Sequence, residues 1–169
     1  MRTGRYATHL IFAAVAAGTP WIAHAADKAK ATGSTSAAQL ERGRYLVKLG
    51  GCNDCHTPGY MASAGKIPEA QWLTGDSLGW RGPWGTTYPA NLRAYMQELT
   101  EAQWLNTART LQTRPPMPWF AVRRMSDGDL RALYAFIRHL GPGGQPAPAF
   151  VPPGTEPPPP FVLFPSPPK

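Results

Sequence analysis

The sequence predicts an all-α domain with long irregular loops and a proline-rich extended tail. Three observations carry that expectation. Leu130, Leu133, Tyr134, Ile137 and Leu140 recur at i, i+3, i+4 and i+7, which places them on one stripe of a helix. Thr100 and Gln103 have the spacing of a capping box just ahead of a second apolar segment. No convincing run alternates apolar and polar residues as a half-buried strand would. Charged residues are sparse, at 16%, beside 20 prolines and 17 glycines, so an ordered middle with irregular ends is expected rather than a uniform globule.

Residues 1–25 read as a secretory signal. Arg2 and Arg5 supply a basic start, Leu10 to Ala17 a short apolar core, and Ala23-His24-Ala25 a small-x-small cleavage site. Thr19, Pro20 and His24 break the apolar run well short of the ~20 residues a membrane span needs. A cleaved leader and a soluble mature chain starting at Ala26 are therefore expected. Residues 26–36 are small and polar and read as a flexible leader.

The domain proper is expected over 37–142. A helix begins near Ser36, carries Leu40, Tyr45, Leu46, Val47 and Leu49, and ends at Gly50-Gly51. Gly43 in its middle weakens a helix, which predicts close contact with another helix there. Residues 57–93 are loop-like, with Trp72, Trp80 and Trp84 among Gly75, Gly79, Gly82, Pro83 and Gly85. A loop this long in a compact domain is expected to wrap something. A short helical stretch from Asn91 or Leu92 to Leu99 leads to the Thr100 helix, with Trp104, Ala108 and Leu111. The prolines of Arg114-Pro115-Pro116-Met117-Pro118-Trp119 keep that segment non-helical. The last helix is capped by Ser126, has Asp127 and Asp129 near its positive end, keeps Arg131 and Arg138 off its stripe, and stops at Gly141-Pro142. Residues 143–169 form the proline-rich tail, expected to be extended. Its Phe150, Val151 and Phe161 to Phe164 are too apolar for a solvated linker, so they are expected along the domain surface, with a partner as the alternative.

The formal charge is +7, or +5 once Arg2 and Arg5 leave with the signal. The cations are dispersed. They favour acidic docking surfaces and lack the aromatic interleaving of a nucleic-acid site. No carboxylate pair or nucleophile–base set suggests that the chain is an enzyme by itself.

The chemistry concentrates at Cys52-Asn53-Asp54-Cys55-His56. A redox dithiol would need a βαβ pattern around it, and a structural zinc would need two further ligands at another spacing. C-x-x-C-H is instead the attachment signature of haem c. Cys52 and Cys55 would add across the two vinyl groups of one haem, and His56 would lie beneath the iron as the first axial ligand. Candidates for the second ligand are Met61, Met96, Met117, Met125 and His139. Met61 is too near His56 in sequence, Met96 and Met125 sit in or beside helical pattern as apolar filler, and His139 is expected to be exposed. Met117, held between prolines, is the assignment, giving the histidine–methionine ligation of electron-transfer cytochromes. The proximal imidazole also needs an acceptor for its other N–H, expected to be a backbone carbonyl near Pro83 or Pro89. Trp80, Arg81, Tyr88, Asn91 and Arg93 are candidate donors to the propionates.

Arg42-Gly43-Arg44-Tyr45-Leu46, Gly51 to Pro58 around the motif, Tyr88-Pro89-Ala90-Asn91-Leu92 and Pro116-Met117-Pro118-Trp119 together resemble class I cytochrome c. The likeness runs from about Ala38 to Leu140 and is nearest to single-haem periplasmic cytochromes and the haem modules of dehydrogenase cytochrome subunits. The resemblance implies a fold in which the first and last helices cross, through Gly43 and Tyr45 on one and Tyr134 and Ile137 on the other. It implies a periplasmic single-electron carrier that serves redox partner proteins. The alternative is a cytochrome subunit of a membrane-linked or periplasmic dehydrogenase or oxidase, with membrane association through that partner. A five-coordinate haem gas sensor is a third reading, opposed by the position of the motif near the start of the chain.

Overall fold

A computed structural model describes Met1 and residues 35–165. The expected signal, its cleavage site, most of the leader and residues 166–169 lie outside the described residues. Among the described residues no helix is long and apolar enough to cross a membrane.

The framework is a crossing of two helices. Helix α1 (Ala37–Leu49) starts at Ser36, whose hydroxyl accepts the Gln39 N–H at 3.1 Å. Helix α6 (Asp127–His139) starts the same way at Ser126, which accepts from Asp129. They meet at Gly43. A Cβ added there would overlap the Ala132 carbonyl and come within 2.5 Å of the Phe136 Cβ, so hydrogen is the only side chain that permits this approach. Leu46 and Val47 of α1 pack into a core with Leu130, Leu133, Phe136 and Ile137 of α6.

The crossing differs from expectation in its partners. Tyr45 is 51% exposed and lies outside it, under the Arg42 guanidinium. Tyr134 is half-buried and donates its hydroxyl to the Leu99 carbonyl at 2.7 Å. Ala132 and Phe136 take their place, because α6 is packed by three other helices and buries more than one stripe.

Four shorter helices complete the framework. Helix α2 (Cys52–His56) follows α1 through Gly51, which has a left-handed φ of 65°. Helix α3 (Leu92–Gln97) is capped by Asn91, and α4 (Glu101–Thr110) by the reciprocal Thr100–Gln103 box. Helix α5 (Trp119–Arg124) follows Pro118 and corrects the expectation that the segment through Trp119 is non-helical: a proline disfavours helix in the residue before it, not in those after it.

A small sheet is added to this helical framework. Strands β1 (Gly79–Gly82) and β2 (Gly85–Thr87) form an antiparallel hairpin, and β3 (Phe161–Leu163) lies parallel to β1, giving the order β2-β1-β3. Strands of three or four residues carry no legible alternation. Val151 pairs with Thr86 on the free edge of β2, their N–H and carbonyl groups exchanging bonds of 2.8 and 3.0 Å. Phe164 donates to the Arg81 carbonyl at 2.7 Å, and Arg81 forms an ion pair with Glu156 at 2.5 Å. The described part of the proline-rich segment therefore runs along the domain surface, and residues 35–165 belong to one compact unit.

Candidate functional site

Helix α2 is held from below by a short buried relay. Asn53, fully buried, accepts the Thr57 hydroxyl at 2.7 Å, and that hydroxyl oxygen accepts the Leu73 N–H at 2.8 Å. The His56 carbonyl accepts the Gly75 N–H at 2.9 Å, while Asp76 donates to the Pro89 carbonyl at 3.2 Å. Gly75 has φ 80°, and a Cβ there would lie 2.8 Å from the Asn91 nitrogen. Two loop segments, 73–76 and 89–91, thus close on the histidine together, and only glycine fits between them.

His56 is buried, and its Nδ1 lies 2.8 Å from the Ala90 carbonyl oxygen. A carbonyl can only accept, so Nδ1 carries the proton and Nε2 presents its lone pair. This is the acceptor expected near Pro89. Burial lowers the pKa of the ring, opposed in part by the Ala90 bond, and so favours the neutral form. Burial also raises both thiols, Cys52 to about 11, with the neighbouring Asp54 carboxylate adding to it. That is the opposite of the depressed pKa a redox dithiol requires.

A cavity of about 660 Å³ opens beside α2. Cys55 and His56 line it from the motif, Pro116 and Met117 from the loop between α4 and α5, Trp80 and Tyr88 from the hairpin and its exit. The other candidate ligands are elsewhere. Met61 is exposed, Met96 is buried in the core, Met125 packs half-buried against it, and His139 is exposed at the end of α6. Cys52 is half-buried at the start of α2.

The cavity also sorts the proposed propionate donors. Trp80 Nε1 and the Tyr88 hydroxyl are buried with no hydrogen-bond partner among the described residues. Asn53, Trp84, Thr86 and Gln97 also hold a buried atom without a partner among the described residues, but of the six only Trp80 and Tyr88 line the cavity. Arg81, Asn91 and Arg93 are engaged elsewhere: Arg81 with Glu156, Asn91 with the Gly143 and Gln145 carbonyls, Arg93 with four backbone carbonyls. A flat, largely apolar group with two carboxylates fits this cavity in size and in the donors it leaves open.

The family model for cytochrome c matches residues 40–141, more than half of the chain. The chain belongs to the cytochrome c family. The six helices and small sheet among the described residues are compatible with the class I fold, and the cofactor is covalently bound haem c, for which Cys52 and Cys55 supply the attachment motif. This cytochrome is 33% identical over 147 residues to one of the subunits of nicotinate dehydrogenase from Pseudomonas putida, an alignment covering 80% of the chain and 12% of that protein. It is 31% identical over 112 residues to the cytochrome c subunit of a quinone alcohol dehydrogenase from Gluconobacter oxydans, covering 60% of the chain and 21% of that protein. The cytochrome thus spans only a small part of the length of these relatives. No solved structure matches it at comparable stringency. Family membership makes it an electron-transfer haem protein.

Proposed function

We propose that this cytochrome carries single electrons in the bacterial periplasm, with Cys52 and Cys55 as thioether anchors and with His56 and Met117 as the axial ligands. The observation that carries the reading is that His56 and Met117, far apart in sequence, line one cavity with Cys55. The haem supplies a reversible one-electron iron centre. Ala90 holds the Nδ1 proton of His56 and so leaves the Nε2 lone pair free for the iron. Met117 offers a neutral, soft thioether, which favours the reduced state and raises the potential. Trp80 and Tyr88 would supply hydrogen-bond donors to the haem propionates. The signal read at residues 1–25 supports export.

The visible spectrum of protein exported from its own leader tests this. It is expected to show covalent c-type haem and, when ferric, the weak far-red band of an iron–methionine bond. Colourless protein, or haem that extracts into acid organic solvent, would defeat the reading.

A second reading is favoured by the relatives, both of which are dehydrogenase subunits. In it the cytochrome accepts electrons within a complex with a catalytic dehydrogenase. Native size-exclusion separates the two, since co-migration with a larger enzyme removes the free carrier.

Either way, electrons leave or enter near Met117, where Trp119 and Phe120 pack edge to face and Phe120 is 51% exposed. Arg123 lies over the Trp119 ring, and Arg124 is exposed beside it. Aromatic and arginine side chains are the groups enriched in interface cores. Replacing Arg123 and Arg124 by glutamine is expected to slow association with an acidic redox partner several-fold at low salt and flatten its salt dependence, with the reduction potential unchanged. Stopped-flow electron transfer at varied ionic strength measures this, and a shifted potential with unaltered association would contradict it.

A further inference from the structure

We propose that residues 146–164 act as a latch on the Met117 loop, and that the stacking of Arg114 on Phe150 sets how readily small exogenous ligands reach the iron on the methionine side. The proposal rests on the reading of Met117 as the axial ligand.

The loop of residues 111–118 has few anchors of its own. Among the described residues it receives one hydrogen bond from beyond the adjoining helices, from the Thr87 hydroxyl to the Pro115 carbonyl at 2.8 Å. Its second hold is Arg114, whose guanidinium lies 3.8 Å from the centroid of the Phe150 ring. Phe150 and Pro148 line the same cavity as Met117 and His56, so the segment that holds the loop is also part of the cavity wall.

The segment is itself firmly tied. Val151 exchanges two backbone bonds with Thr86, next to the Thr87 that grips the loop. Gly85, with φ 99°, lets the Val151 carbonyl approach where any Cβ would overlap it. Further on, Gly79 donates to the Pro160 carbonyl at 3.0 Å, β3 pairs with β1, and Phe164 packs against Trp80 and Trp84 with ring centroids 5.9 and 5.3 Å apart. Loop and latch therefore share the hairpin as a common base.

A ligand such as imidazole can occupy the methionine position only after the Met117 sulfur leaves and the loop moves. The fraction of molecules in that open state depends on what the loop must break to open. The Arg114–Phe150 stack is one of the contacts broken, so its removal raises the open fraction without changing the ligands themselves.

The test uses ferric holoprotein, with imidazole as the probe and stopped-flow absorbance as the readout. Phe150→Ala and Arg114→Gln are each expected to raise the imidazole association rate about three- to tenfold, the worth of one cation–π contact. The double variant should be no faster than the faster single, because both remove the same contact. The far-red band should persist in all of them before imidazole is added. If Phe150→Ala fails to assemble, Phe150→Leu keeps the apolar bulk, removes the ring face and reads the same rate. A wild-type band with unchanged rates in the variants, or rate effects that multiply in the double variant, overturns the latch alone. A wild-type protein with no far-red band overturns methionine ligation, and the latch with it.

Discussion

Arg93→Ala is expected to lower the unfolding free energy of the holoprotein by about 3 kcal/mol, a large loss for a single polar side chain. Arg93 is 7% exposed and has no carboxylate partner among the described residues. Burial pulls its pKa down, yet a guanidinium keeps its charge in a protein. What compensates the charge is a fan of backbone carbonyls. The guanidinium donates to Ala70 at 2.7 Å, Gly141 at 2.6 Å and Pro142 at 3.0 Å, and also to Leu140. Three of these carbonyls belong to the end of α6 and the turn that follows. Helix ends leave such carbonyls without intrahelical partners. The fourth, Ala70, belongs to the loop of residues 57–91. Arg93 thus joins the start of α3, the exit of α6 and the 57–91 loop at one point. Each carbonyl left buried and unpaired costs about 1–3 kcal/mol, reduced by whatever water enters the gap. Arg93→Lys should recover only part of the loss, because one ammonium cannot reproduce the planar fork. Urea unfolding followed by tryptophan fluorescence and by haem absorbance measures this. A midpoint unchanged from wild type would show that the fan is not what holds the end of α6.

Met117→Ala is expected to abolish the far-red band and to lower the reduction potential on the order of 0.1 V, a fraction of the roughly 0.8 V that axial ligation spans. The fold should tolerate the change. Met117 is only half-buried in a loop, and the core residues of α1, α4 and α6 do not depend on it. The haem should remain attached, since its covalent bonds are made by the cysteines. With the proposed thioether ligand removed, the iron would bind carbon monoxide quickly when reduced. Potentiometric titration and flash photolysis measure these effects. A Met117→Ala protein with its far-red band intact would require another methionine on the iron. Met96 is buried in the core, and Met61 and Met125 are not among the residues lining the cavity, so such a result would also mean that the fold rearranges when haem binds.

Helix ends were the most legible part of the fold. Ser36, Thr100 and Ser126 each supply a side-chain oxygen to an otherwise unpaired N–H three residues on, a local interaction independent of tertiary context. Gly43 was legible for a related reason, since a glycine in a helix interior is costly unless space demands it. Helix α5 was not legible, because its start is masked by the prolines that precede it, and the strands were not, because three or four residues display no alternation and β3 pairs with a strand far along the chain. Phe136 lies off the apolar stripe yet is fully buried, because α6 contacts α1, α3 and α4 and so buries more than one face.

The sequence by itself determined the haem attachment motif, the family and the main helices, because covalent chemistry and capping depend on residues a few positions apart. Only the tertiary structure decided which of five polar side chains keep a free donor beside the cavity, which carbonyl orients His56, and that the proline-rich segment joins the cavity wall. Those outcomes depend on which groups are already occupied by partners brought from far along the chain, and a linear order of residues does not contain that competition.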